Sequence, residues 1–155
     1  MKKKIGTQTY HFPSCPAVVS YANAVGKKEG AGPLADTFDL IFTDTRMGQK
    51  TWEKAESEFQ KAAISKALEK GNLDVSALDC ILAGDLLNQC IGTTYAARAL
   101  ALPFFGLYGA CSTMAQTLLL ASILVESGAA EKALAVTSSH FCSAERQFRL
   151  PLEYG

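Results

Sequence analysis

In the stretch FFGLYGACSTMAQ, residues 104–116, a cysteine follows two nearby glycines where an apolar run gives way to a helical pattern. Strand, glycine turn and helix in that order raise a side chain above a sheet edge, because Gly permits a tight turn that a Cβ would block. At a helix start, Cys111 lies beside free backbone N–H groups and the positive end of the helix dipole. Both favour an anion, whether a nucleophilic thiolate or a bound carboxylate. The competing reading is a core thiol, since Cys is among the most buried residue types. Position alone leaves the two open.

Other candidates carry less chemistry. Ser138-Ser139-His140 sets hydroxyls beside a base, yet adjacent side chains on a strand point to opposite faces, so His140 reads as a loop residue at the sheet edge. His140 and Cys142 have no further ligand in view, and no metal site is expected. His11 receives no role. Arg146 and Arg149, at i and i+3, would form one basic face on a helix, able to grip a carboxylate; otherwise they are a solvated surface pair. Asp85 closes a strand near the same edge. It would repel a dianion, so it is expected to point away or be paired. Trp52 and Phe59 read as core. Gly30-Ala31-Gly32 runs into Pro33 with no helix after it and no GK[ST] ending, which makes both a dinucleotide fingerprint and a phosphate loop poor readings. The five cysteines, at 15, 80, 90, 111 and 142, contain no CxxC pair, so reduced thiols are expected rather than a disulfide framework.

These residues need elements to hold them. Residues 5–50 are turn-rich, with one strand expected near Pro16–Ala24 and a surface loop at GKKEGAGPL. From Thr51, read as the N-cap, Trp52, Ala55, Phe59, Ala62 and Ala63 fall on one helical face, and Gly71-Asn72 stops the helix. DCILAG reads as a buried strand, DLLNQCIGT as a loop, and Thr93–Leu102 as a helix of small residues ended by Pro103. FFGLY is the third strand, Ser112–Ser127 a helix with Gly128 at its C-cap, and KALAVTS the fourth strand. Strands alternating with helices imply an α/β fold, a mainly parallel sheet with right-handed crossovers in the order βαβαβαβ. Ligands of such sheets bind beyond the carboxyl ends of the strands, where 85–91, 108–111 and 138–142 converge.

The chain has 155 residues, enough for one domain, with 48% hydrophobic and 19% charged residues. Its net charge of zero gives no electrostatic case for nucleic acid. Lys2, Lys3 and Lys4 are not followed by an apolar segment, so no signal peptide is read. The apolar stretch around Ala115–Val125 is short for a membrane span and contains Gln116, Thr117 and Ser122. A soluble protein made in the cytoplasm is expected.

Over about residues 49–140, the order of elements together with LLNQCIGTTYAARALAL, GACST and LLLASILVESGAAEKALAVTSS resembles the first half of the thiolase and ketoacyl synthase superfamily. In that likeness Gln89, Gly92 and Ala97-Arg98 occupy recurrent positions, and the nucleophile's role falls on Cys111. More closely, VGKKEGAGPLADTFD, MGQKTWEKAES and the tail SSHFCSAERQFRLPLEYG resemble the N-terminal region of the stage V sporulation protein AD family. That resemblance implies a thiolase-like N-terminal half over 1–155, with lead 1–50, βα core 51–140 and tail 141–155. It implies a dipicolinic acid binder that supports uptake into the developing spore, peripheral to the spore inner membrane, with membrane proteins of the same operon as partners. A homodimer is also implied. In this reading the backbone at Cys111, Ser112 and Thr113 receives one carboxylate, Leu87 and Tyr108 form apolar walls, and Arg146, Arg149 or a second half supplies a cation for the other.

The alternatives are a condensing acyltransferase that forms a thioester on Cys111 from a coenzyme A thioester, and a scaffold with a vestigial pocket. No other cofactor is implied. Thr113-Met114 stand where ketoacyl synthases carry small residues, which weighs against condensation. The superfamily's remaining catalytic residues come from a second half, and the fifth strand of the first half would follow Gly155, so this sequence is expected to be part of a longer chain.

Overall fold

The computed structural model describes residues 4–149, the side chain of Arg149 excepted. The lead opens with a small antiparallel hairpin, β1 (Lys4–Ile5) and β2 (Thr9–Tyr10). Then β3 (Ala24–Gly26) runs into a one-turn helix, α1 (Lys27–Gly30), and pairs in parallel with β4 (Leu40–Phe42). Next come α2 (Trp52–Gly71), β5 (Cys80–Gly84), α3 (Ile91–Leu100), β6 (Phe104–Gly106), α4 (Thr113–Ser127), β7 (Ala133–Thr137) and α5 (Phe141–Arg149).

β5 is the middle of a three-stranded parallel sheet in the order β6-β5-β7, and all five of its residues are buried. Side chains alternate across a strand. Accordingly Ile81 and Ala83 pack with Ile64 of α2 and Ala97 of α3, while Cys80 and Leu82 pack on the other face with Ala121 of α4 and Ala130. The result is three layers, helix on sheet on helix. The strand–helix alternation read from the sequence is present.

Four local expectations need correction. The strand expected over Pro16–Ala24 is replaced by β3, which shares only Ala24 with that span and pairs with β4 rather than joining the β5 sheet. Residues 16–23 run without strand pairing, and Val18, Val19 and Tyr21 are exposed. GKKEGAGPL is not all loop, since it contains α1. Third, α3 begins at Ile91 instead of Thr93: Gln89 and Cys90 both adopt left-handed backbone, at φ 58° and 49°, and turn the chain straight into the helix. Fourth, the tail, given no element of its own beyond the helical alternative for Arg146 and Arg149, forms α5.

α2 confirms its caps. The Thr51 side chain accepts from the Lys54 N–H, and Asn72 ends the helix at φ 49°. Its buried face, however, is not the simple apolar stripe expected. Ala55 and Ile64 are buried, but so are Glu56, Ser57 and Gln60.

β5 and the chain after β6 approach closely at Gly84. A Cβ there would lie 1.9 Å from the Leu107 carbonyl oxygen and 2.7 Å from Thr113 Cγ2. The first of these is backbone and cannot rotate away. Gly84→Ala is therefore expected to destabilise the fold by about 2–3 kcal/mol, as overpacking of a tight core does. Urea unfolding of the variant measures it; an unshifted midpoint would show that the crossover has slack.

Candidate functional site

The register of the sheet decides what meets at its carboxyl edge. Gly84 pairs with Thr137, and Ala83 with Gly106, so the chain leaves β5, β6 and β7 at nearly the same level. The three exits enclose a concavity of about 270 Å³. Asp85 and Leu86 line it from β5, Ala110, Cys111, Thr113 and Met114 from the turn into α4, and Thr137, Ser138 and Ser139 from the end of β7. The expected convergence of loops is thus what the fold builds.

Cys111 is exposed, so the core-thiol reading does not hold for it. It sits in a single 3₁₀ turn, Ala110–Ser112, ahead of α4. Ala110 takes left-handed backbone at φ 49°, a conformation that costs a Cβ-bearing residue about 1 kcal/mol. The turn is held by the Ser112 N–H and Oγ–H, both donating to the Gly109 carbonyl at 3.0 and 2.7 Å, and by the Gly109 N–H donating to Thr113 Oγ1 at 3.1 Å. The Thr113 N–H closes on the Ala110 carbonyl. Of the three amides expected to receive a carboxylate, those of Ser112 and Thr113 are therefore engaged in the turn, and only that of Cys111 lies outside its bonding.

Asp85 is paired, as expected. It is 1% exposed, and its oxygens accept from the N–H groups of Leu87 and Thr93, each at 2.7 Å. This carboxylate fixes the 85–93 loop. It also buries Leu87 in the core at 1% exposure, so Leu86, not Leu87, supplies apolar lining. Tyr108 stands outside the concavity, 58% exposed, with its hydroxyl donating to the Leu86 carbonyl at 3.4 Å.

His140 is not available as a base. Its Nδ1 accepts from the Cys142 N–H at 3.3 Å, which leaves Nε2–H to donate to the Thr45 carbonyl at 2.8 Å. Its ring packs against Trp52 and Phe59, and the Arg46 guanidinium lies over the Trp52 ring, 3.9 Å from the ring centre. His140 thereby ties the lead segment to the exit of β7. Arg146 pairs with Glu53 of α2 instead of facing the concavity, and the Arg149 side chain lies outside the described residues. Among the described residues, no cation lines the concavity.

Sequence reading missed a buried polar seam behind Ser138. Glu56, 1% exposed, accepts from Ser138 Oγ at 2.7 Å and contacts Ser143 Oγ at 2.6 Å, and Gln60 Nε2 donates to Ser138 Oγ and Thr93 Oγ1, both at 2.7 Å. Burial pushes the Glu56 carboxyl above the ordinary carboxylate range and the Asp85 charge adds to this, while the two serine hydroxyls act in the opposite sense. The available signal was Glu56, Ser57 and Gln60 at i, i+1 and i+4 on a helix whose adjoining Ala55 is core. Polar residues on a core-facing stripe imply a polar partner across the interface.

The fold is that of part of a thiolase-like domain. The crystal structure of 3-oxoacyl-[acyl-carrier-protein] synthase III from Aquifex aeolicus VF5 superposes with a TM-score of 0.52 at 23% identity, over 57% of this chain and 31% of that one. Residues 6–155 match the family described as stage V sporulation protein AD (SpoVAD), and the chain belongs to that family. It is 47% identical over 153 residues to stage V sporulation protein AD of Bacillus subtilis (strain 168), a match that takes in 99% of this chain and 45% of the relative. The chain thus spans less than half the length of that curated relative.

The arrangement predicts an order of thiol reactivity. Cys111 is exposed, whereas burial of Cys80 and Cys90 holds their thiols above the ordinary value, so that less of either is thiolate at a given pH. Iodoacetamide at pH about 8 should alkylate Cys111 well before Cys80 and Cys90, read by peptide mass spectrometry. Equal rates would place Cys111 in the core.

Proposed function

We propose that the concavity at Cys111 is a binding site for dipicolinic acid, and that the protein supports uptake of this acid into the developing spore with membrane partners of the same operon. Membership of a sporulation family supports the setting. The observation that carries the reading is the composition of the site: an exposed thiol and an open backbone amide at a helix start, with His140 bonded elsewhere through both ring nitrogens. Such a site suits reception of an anion better than nucleophilic attack, which needs a proton acceptor beside the thiol.

Dipicolinate carries two carboxylates on a rigid planar ring, so it loses little conformational freedom when bound. One carboxylate meets the Cys111 amide at the start of α4. The other needs a cation from Arg149 or from beyond the described residues, because Arg146 is occupied by Glu53. The complete protein acts as a homodimer, peripheral to the spore inner membrane. Residues 110–127 are long and apolar enough to cross a bilayer by length and composition, a longer segment than the sequence reading marked. In the fold they form the turn and helix whose Thr113, Thr117 and Ala121 are buried.

Exposure of Cys111 in a turn like that of the ketoacyl synthases favours one rival, acyl transfer from a coenzyme A thioester to the Cys111 sulfur with release of free coenzyme A. Met114, 62% exposed at the mouth of the concavity, narrows the path for an acyl chain. Titration calorimetry separates the readings. Cys111→Ala should weaken dipicolinate by only about 1 kcal/mol, because the backbone donor remains, and Cys111→Trp should abolish binding by filling the space. Intact-mass analysis after exposure to acyl-coenzyme A should show no adduct; an adduct on Cys111 that turns over would overturn the binding reading.

A further inference from the structure

The seam behind the concavity has a countable set of protons. Ser143 is wholly buried, and its hydroxyl lies 2.6 Å from Glu56 Oε2 and 2.9 Å from the His140 carbonyl oxygen. A hydroxyl has one proton to give. If Glu56 were a carboxylate, both neighbours would be acceptors, and one of these contacts would set two oxygens face to face with no hydrogen between them. A proton on Glu56 Oε2 removes the conflict: the acid donates to Ser143, and Ser143 donates to the His140 carbonyl.

The other side of Glu56 agrees. Gln60 Nε2 faces both Thr93 Oγ1 and Ser138 Oγ, and Gln60 Oε1 is buried with no partner among the described residues. The opposite amide orientation would leave two N–H donors unpaired instead of one acceptor, at greater cost. With the nitrogen so placed, Ser138 accepts from Gln60 and donates to Glu56 Oε1.

A second carboxylate sits close by. A Cβ built on Gly92 would lie 3.3 Å from Asp85 Oδ2 and 3.4 Å from Glu56 Cγ, so the two acids flank one glycine. Asp85 takes two backbone N–H donors, whereas Glu56 faces only hydroxyls. One negative charge in this space belongs on Asp85.

We propose that Glu56 is a positioning residue, a neutral carboxylic acid that runs a one-way chain of hydrogen bonds, pins α5 to α2, and draws the Ser138 proton away from the concavity. Ser138 then meets a bound molecule as an acceptor only. Resting on the dipicolinate reading, this sets the ligand's orientation: its carboxylates turn away from Ser138 and Asp85 and toward the Cys111 amide. The charged and titratable groups around Glu56 are Asp85 at the end of β5, His140 ahead of α5, and the Glu53–Arg146 pair bridging α2 and α5.

The upward displacement of the Glu56 carboxyl by burial fits this geometry. A folded state that keeps its proton to higher pH than the unfolded chain loses stability as pH rises from the ordinary carboxylate range through the raised value.

The test uses the full-length protein and the variants Glu56→Gln and Glu56→Leu. An amide repeats the neutral acid's pattern, accepting from Ser138 and donating to Ser143. Infrared difference spectra at neutral pH should show the carbonyl band of a protonated carboxylic acid in wild type and its absence in Glu56→Gln. The melting temperature of Glu56→Gln relative to wild type should climb with pH, and its affinity for dipicolinate should stay within about twofold of wild type. Glu56→Leu, which takes from each serine its bond to the acid, should lower the melting temperature and weaken dipicolinate about tenfold. A wild-type spectrum without the acid band, or a Glu56→Gln variant as damaged as Glu56→Leu, would overturn the assignment. The infrared and melting results need no ligand, so failure of wild type to bind dipicolinate would overturn the function proposed for the concavity and not the role of Glu56.

Discussion

The pairing of β5 on both edges is the constraint from which the rest follows. β5 is buried along its whole length and bonded in register to β6 on one side and β7 on the other. A strand so enclosed cannot slip, because a shift by one residue would exchange Ile81 and Ala83 for Cys80 and Leu82 on opposite faces. Fixed register brings the exits of three strands to one level. The turn of Cys111, the carboxylate of Asp85 and the hydroxyl of Ser138 are neighbours for that reason, although Asp85 and Cys111 are 26 positions apart in the sequence.

The exits themselves are held by polar contacts rather than apolar packing. Asp85 gathers the N–H groups of Leu87 and Thr93, Gly109 is bonded by Ser112 and Thr113, and His140 bridges Thr45 and Cys142. A loop beside a ligand-sized concavity has unpaired backbone groups, and short-range side-chain bonds satisfy them. Left-handed backbone at Gln89, Cys90 and Ala110 marks where the chain turns most sharply. Such strain persists only where surrounding contacts over-determine it, and two of the three exits contain it.

Much of this was legible in the sequence. β5 announced itself as an unbroken apolar run, α4 as a helical stretch ending at Gly128, which takes φ 77°, and α2 by Thr51 and Asn72. These signals are local: burial on both faces, a cap, a stop. What stayed hidden depends on partners distant in sequence. β3 is three residues long and exists through β4, which lies beyond α1. Leu86 and Leu87 are adjacent and equally apolar, and only the Asp85 bonds determine which of them faces the concavity. Arg146 carried no mark of its pairing with Glu53, 93 positions away. The polar stripe of α2 was visible in the sequence but was given no role, because its partners Ser138 and Ser143 are distant in sequence.

The central claim is that the Cys111 concavity receives dipicolinate. The most direct measurement is protection: alkylation of Cys111 with and without saturating dipicolinate, followed by peptide mass spectrometry, with the exposed Cys15 as internal reference. The account predicts that dipicolinate slows labelling of Cys111 and leaves Cys15 unchanged. Equal labelling of Cys111 in the presence and absence of bound dipicolinate would contradict it.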